Sequence, residues 1–175
     1  MALSPAPKLA EGATNLVVAH LEANMAAALA TVRTDRADAL VSTEPPPSTS
    51  YFIYRSAKGY RPPAIFVISD YLDFKIMDLQ ANMVNGVVGM RISAVVEDRD
   101  QEKLTHKAWR YEAAMYLLLA SQTLLSADGT LKLVVTVKRS DYSPHFTNGA
   151  KEGSIEAMFR KEVSLECDVS VFENY

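Results

Sequence analysis

From Phe159 to Val171 the chain alternates without a break. Phe159, Lys161, Val163, Leu165, Cys167, Val169 and Val171 fall on one side of an extended strand. Arg160, Glu162, Ser164, Glu166, Asp168 and Ser170 fall on the other. Such a strand packs one face on a core and turns the other to water or a partner. Residues 83–97 repeat the pattern, with Val84, Gly86, Val88, Met90, Ile92, Ala94 and Val96 on one face. Gly86 and Gly89 there predict bulges or a bend. Segments 83–97 and 157–172 are each about 15 residues, or roughly 50 Å at ~3.3 Å per residue. Typical strands run to about five or six residues. A compact chain of 175 residues is only roughly 40 Å across. Unless the glycines bend them, these strands outrun their own domain, and a projecting two-stranded ribbon needs a neighbour.

Two helices frame the strands. From about Leu9, apolar residues recur at spacings of three and four (Val17, Leu21, Met25, Ala28, Val32), after Pro5 and Pro7 at a helix start. Residues 1–8 read as a flexible arm. The second helix opens after the acidic run from Glu97 to Glu102, whose carboxylates suit the positive end of a helix dipole. Its stripe is Leu104, Ala108, Tyr111, Met115 and Leu118. Ala113 to Ala120 is apolar nearly all round, which predicts a deeply buried carboxyl half, with Trp109 and Tyr116 against the sheet. Tyr51–Tyr54 reads as a short edge strand, Ala64–Ser69 as a central strand, and Leu131–Lys138 as an alternating one. Glu44–Ser50, with three prolines, is a stiff connector. The order helix, strands, helix, strands predicts a single α+β domain over 1–175: a mainly antiparallel sheet, two helices packed on one face, and a long projecting hairpin or loop at 139–156.

Eighteen Lys and Arg against 21 Asp and Glu give a formal charge of −3. That balance argues against a general nucleic-acid binder, which relies on cations to neutralise phosphates. One cysteine excludes an intrachain disulfide and a Cys-cluster zinc site. The amino terminus lacks a basic start and a following apolar run, so no signal peptide is expected. No unbroken run of roughly 18 apolar residues is present either, so no membrane partner is expected.

No enzyme motif stands out, and no cofactor is expected. A Gly-x-Ser-x-Gly elbow, a phosphate-binding glycine loop and a His-Glu-x-x-His pair are all missing. Glu102 and His106, four apart, suit a surface ion pair better than a metal site. Cys167 alternates with Leu165 and Val169, as a small core residue does. Glu162, Glu166 and Asp168 share one strand face, where carboxylates could hold a cation, do acid–base work, or simply meet solvent. Carboxylates so close repel one another unless something offsets them. The Arg139–Glu156 connection exceeds the ~12–15 residues at which a structureless loop usually carries function. It mixes Tyr142, His145 and Phe146 with Lys151 and other cations. Single-stranded nucleic acid could stack there, but the same mixture marks a protein interface, the preferred reading.

The amphipathic first helix, the strand group, the run Arg91–Asp100 leading into Lys107-Ala-Trp-Arg-Tyr-Glu112, and two closing strands together resemble the phage tail terminators. These are also called tail completion or minor tail proteins of the head-to-tail neck. The resemblance lies in the order and spacing of elements from Leu9 onward, and carries no catalytic residues. It implies a non-enzymatic virion protein assembled in the host cytoplasm: a homo-hexameric ring that caps the tail tube and joins it to the head. The implied partners are the tail tube protein, a head-closure or connector protein, and genomic DNA passing through without specific binding. Six copies at −3 would sum to −18, a lumen of like sign to DNA. Glu162, Glu166 and Asp168 are the candidate lumen-facing residues. Tyr142, His145, Phe146 and Lys151 are candidates for the contact with a second subunit or the tube. Another neck protein, or an α+β binding module for nucleic acid or a small ligand, are the alternatives.

Overall fold

The computed structural model describes residues 8–37, 43–54, 60–78, 83–143, 146–147 and 158–174. Elements follow in the order α1 (Leu9–Arg36), β1 (Tyr51–Phe52), β2 (Ala64–Asp78), β3 (Met83–Asp98), α2 (Gln101–Leu119), β4 (Thr123–Leu125), β5 (Leu131–Tyr142), β6 (Phe146–Thr147) and β7 (Phe159–Asn174). The described strands make one sheet in the order β1-β2-β3-β7-β5-β4, with β6 on β7. Only β1 with β2 is parallel. The fold is α+β, as the element order predicts.

Both helices lie on one face. Leu9, Ala13, Val17, Leu21, Met25 and Val32 of α1, with Leu104, Ala108, Tyr111, Met115 and Leu119 of α2, share a core with the apolar stripes of β2, β3, β5 and β7. The period-two stripe of β7, Val163 to Val171, is buried throughout. By length and composition α1 would also serve to cross a membrane; here its apolar stripe rests on the sheet. Asp100 caps α2, its Oδ1 accepting from the N–H groups of Glu102 (2.8 Å) and Lys103 (3.2 Å). Asp98 pairs with Lys107 at 2.6 Å, so part of the acidic run fixes where the helix leaves β3. His20 Nε2 donates to the Leu118 carbonyl (3.0 Å) and ties the helices together.

The long strands do not form an isolated ribbon. β3 and β7 pair from Met83–Asn174 to Asp98–Phe159 without a register shift, but both are flanked. β2 runs on to Asp78 and β5 to Tyr142, beyond the segments their alternation predicts. Bulges hide the continuations. β2 shifts register at Ser69/Tyr71 and Phe74/Ile76, and β5 at Val137/Arg139. Each extra residue swaps inside for outside, so Asp70, Asp73, Lys75 and Arg139 interrupt the pattern and read as loop. The glycines of β3 are not the bulges. A Cβ on Gly86 would meet the Asp73 carbonyl oxygen at 2.9 Å, and one on Gly89 would stand 2.0 Å from Tyr71 Cε1. Close neighbours, not bending, exclude a side chain at both positions. The tip of the β5–β7 connection, 148–157, and the arm 1–7 lie outside the described residues.

Trp109 and Tyr116 are not against the sheet. They are 45% and 54% exposed, and Leu117 is 50% exposed. The seven-residue spacing does put the two rings near one face. That face sits about 100° round the helix from the buried stripe of Ala108 and Met115. The carboxyl half of α2 is therefore apolar without being enclosed. Trp109→Ala should shift unfolding by no more than about 0.5 kcal/mol, as surface changes do. Leu165→Ala, which opens a cavity under both helices, should cost about 2–5 kcal/mol. Chemical denaturation of the two variants checks the contrast.

Candidate assembly surface

With one face of the sheet under the helices, the other displays the odd positions of β3 and the even positions of β7. Glu162, Glu166 and Asp168 all lie there, each half-buried, between the buried residues of the core stripe. The structure brings them to one face as alternation predicts. It also supplies what sequence could not: counter-charges from both flanking strands. Arg139 Nη2 of β5 donates to Glu166 Oε1 at 2.8 Å, and Arg91 Nη2 of β3 stands 3.7 Å from the same oxygen. Arg91 also reaches Asp70 of β2 at 3.6 Å. Lys138 Nζ lies 2.9 Å from Asp168 Oδ2, while the Tyr71 hydroxyl donates to Asp168 Oδ1 at 2.9 Å. The expected repulsion along the row is thus offset at Glu166 and Asp168 by ion pairs across three strands. Glu162 sits further along, its N–H donating to Ser143 Oγ at 3.0 Å.

These contacts set the acidities. The hydrogen bond from Arg139 holds the Glu166 carboxyl below the usual range, and that from Lys138 does the same for Asp168. Tyr71 reaches Asp168 by lying across Gly89, whose missing side chain leaves room for the ring. Towards the other end of this face, Phe52 stacks on Phe66 with centroids 5.2 Å apart. Tyr60 meets Phe66 edge-on at 5.0 Å, and Arg160 lies 5.5 Å above the Tyr60 ring. This small aromatic cluster encloses Ala64 and Val95.

The helix face carries a groove of about 740 Å³ where β5 leaves the cover of α2. Val137 and Leu165 lie along it with Val32 of α1 and Ala113, Tyr116 and Leu117 of α2. Beside it, the hydroxyl of Tyr142 donates to Glu112. Burial and that carboxylate both raise the Tyr142 pKa above its ordinary value. Tyr142 is 40% exposed, so this predicted interface residue stands at the end of β5 partly open, with Lys161 Nζ 5.8 Å above its ring. Phe146 falls in β6, whose backbone pairs with Arg160 of β7. His145 and Lys151 lie outside the described residues.

The other chemical candidates resolve into structure. His106 meets Trp109 edge-on at 5.1 Å, and its Nδ1 is buried without a hydrogen-bond partner, so the expected pair with Glu102 is not formed. Cys167 is 2% exposed, and burial pushes its thiol up to about 12. Among the described residues no three His, Cys, Asp or Glu side chains group as metal ligands.

Two measurements probe this face. A carboxyl with a lowered pKa favours the fold when ionised. Its contribution is complete only above about pH 5, clear of the unfolded carboxyl range, and is lost as pH falls through the folded value. The double variant E166Q/D168N should therefore show a flatter loss of stability on acidification than the parent. Gly89→Ala should destabilise the parent by forcing the Tyr71 ring aside, yet cost much less beside Tyr71→Ala. Additive effects would mean the ring does not occupy that space.

No family model matches the chain, and neither does any curated protein. Among solved structures, the chain is similar to one from the virion of a native gene transfer agent particle. The match covers 92% of this chain and 97% of that one, with 15% identity and a TM-score of 0.47.

Proposed function

We propose that this chain is a structural protein of a phage-type virion, and within it a tail terminator: a ring subunit that caps the tail tube and joins it to the head. The observation that carries the reading is the sheet itself. Four strands of 12 to 16 residues lie side by side, with helices on one face and a polar lattice on the other. A sheet that long, with one whole face left outside the core, suits a wall more than a pocket. The order from α1 through the Asp100-capped α2 to the long closing strands β5 and β7 supports the reading through the resemblance to the terminators.

In such a ring the lattice face, with Glu162, Glu166 and Asp168, looks into the lumen, and DNA passes along it. The ion pairs matter to this role. Arg91, Lys138 and Arg139 each have a carboxylate within 4 Å, so a passing phosphate meets cations already engaged. A wall of that kind neither grips the backbone nor depends on bare like-charge repulsion.

Native mass with and without purified tail tubes is the direct test. A ring near six subunits, free or templated by tubes, is expected; a monomer under both conditions overturns the reading. For the lumen, E166Q/D168N removes the carboxylate paired with Lys138 and one of the two beside each of Arg91 and Arg139. Rings of this variant should retain DNA at low salt and release it as salt screens the attraction. Identical DNA retention by parent and variant rings would move this face out of the channel.

A further inference from the structure

We infer that the ring is sealed by hydrogen bonding between the open edge of β5 in one copy and the open edge of β2 in the next. This deepens the ring reading and rests on it. Among the described residues, β4 covers β5 only at Lys132–Val134, and β1 covers β2 only at Ile65–Phe66. Beyond Val135, whose N–H donates to the Gln122 carbonyl, the outer edge of β5 to Tyr142 has no described strand beside it. The same holds for β2 from Val67 to Asp78. Two long edges with unpaired backbone groups are templates for another chain.

Four features of the subunit choose the occupant. First, β2, β3, β7 and β5 are each antiparallel to the next, so β2 and β5 run in opposite directions. A second copy set beside the first in the same orientation meets β5 with its own β2 antiparallel, and its helices fall on the same face. Second, β2 carries three aspartates and one lysine, whereas β5 carries two lysines, one arginine and one aspartate. The formal charges are −2 and +2, and the ion pairs of Lys138, Arg139 and Asp70 within the subunit reduce both without reversing either. The bias that remains favours unlike edges over β2–β2 or β5–β5 pairing. Third, Phe74 stands 56% exposed on the helix side of β2. In the antiparallel arrangement it comes level with Val137, in the groove beside Leu117. Fourth, β1 and β4 end up at opposite ends of the seam, where they stop the incoming strand and limit its register. The contact joins two different patches, so it propagates from copy to copy, and it closes as a ring where the rotation per copy divides a full turn.

Cysteine pairing reads the seam directly, because the chain's one native cysteine is the buried Cys167. Chains carrying Asp70→Cys or Asp73→Cys on β2 are mixed with chains carrying Lys138→Cys or Asp141→Cys on β5, with tubes present. Under mild oxidation, Asp70→Cys should join Asp141→Cys, and Asp73→Cys should join Lys138→Cys, each far more than the reversed combinations. No variant should cross-link with itself. Rings of normal mass without these cross-links overturn the seam and leave the ring reading standing. Self-linked β2 or β5 variants overturn it in favour of a two-fold dimer. Absence of any ring removes both. As a second arm, Phe74→Glu should lower ring yield at least tenfold while the unfolding of the separate subunit stays unchanged. Unaltered ring yield for that variant overturns the groove contact.

Discussion

The packing of α1 and α2 on a single face of the sheet is the contact from which the remaining features follow. The stripe Val163, Leu165, Cys167, Val169 and Val171 is buried against it, so every intervening residue of β7 is committed to the opposite face. Arg91, Lys138 and Arg139 then find their carboxylates because three neighbouring strands turn the same side away from the helices. The groove arises from the same packing. α2 covers β5 over part of its length and then diverges, leaving Val137 and Leu165 along an open cleft with Tyr116 and Leu117 above them.

The strands that were legible in the sequence are those with unbroken alternation. β3 and β7 keep one register along their whole length, and their bounds lie within about two residues of those that period two predicts. β2 and β5 were legible only as far as their first bulge, since one extra residue inverts the pattern that identifies a strand. The start of α2 was legible in the acidic run that supplies its cap, Asp100; α1 begins without a side-chain cap, and only its apolar stripe announced it. The facing of Trp109 was not. Its spacing from Tyr116 identifies a common face, but only the partner elements decide whether that face is buried.

The polar face was half legible. Its carboxylates all fall on even positions of one strand, and so could be read from the chain alone. Their cations come from β3 and β5, and the pairing of Arg139 with Glu166 depends on the bulge that moves Arg139 to that side. Gly89 carried a misleading signal. A glycine within a strand suggests a bend, while here it makes room for the Tyr71 ring that reaches Asp168. The open edges were illegible for the plainest reason, since an edge is defined by what does not lie beside it.

The uninterrupted β3–β7 ladder also determines how the subunit bears mechanical load. Its hydrogen bonds lie across the strands. A pull along the strands therefore strains the whole seam in shear, all rungs sharing the force at once. A pull across them would open the rungs singly, like a zip. A wall of such subunits is strongest along the strand axis, and the bulged strands β2 and β5, with their broken registers, are where it would yield first.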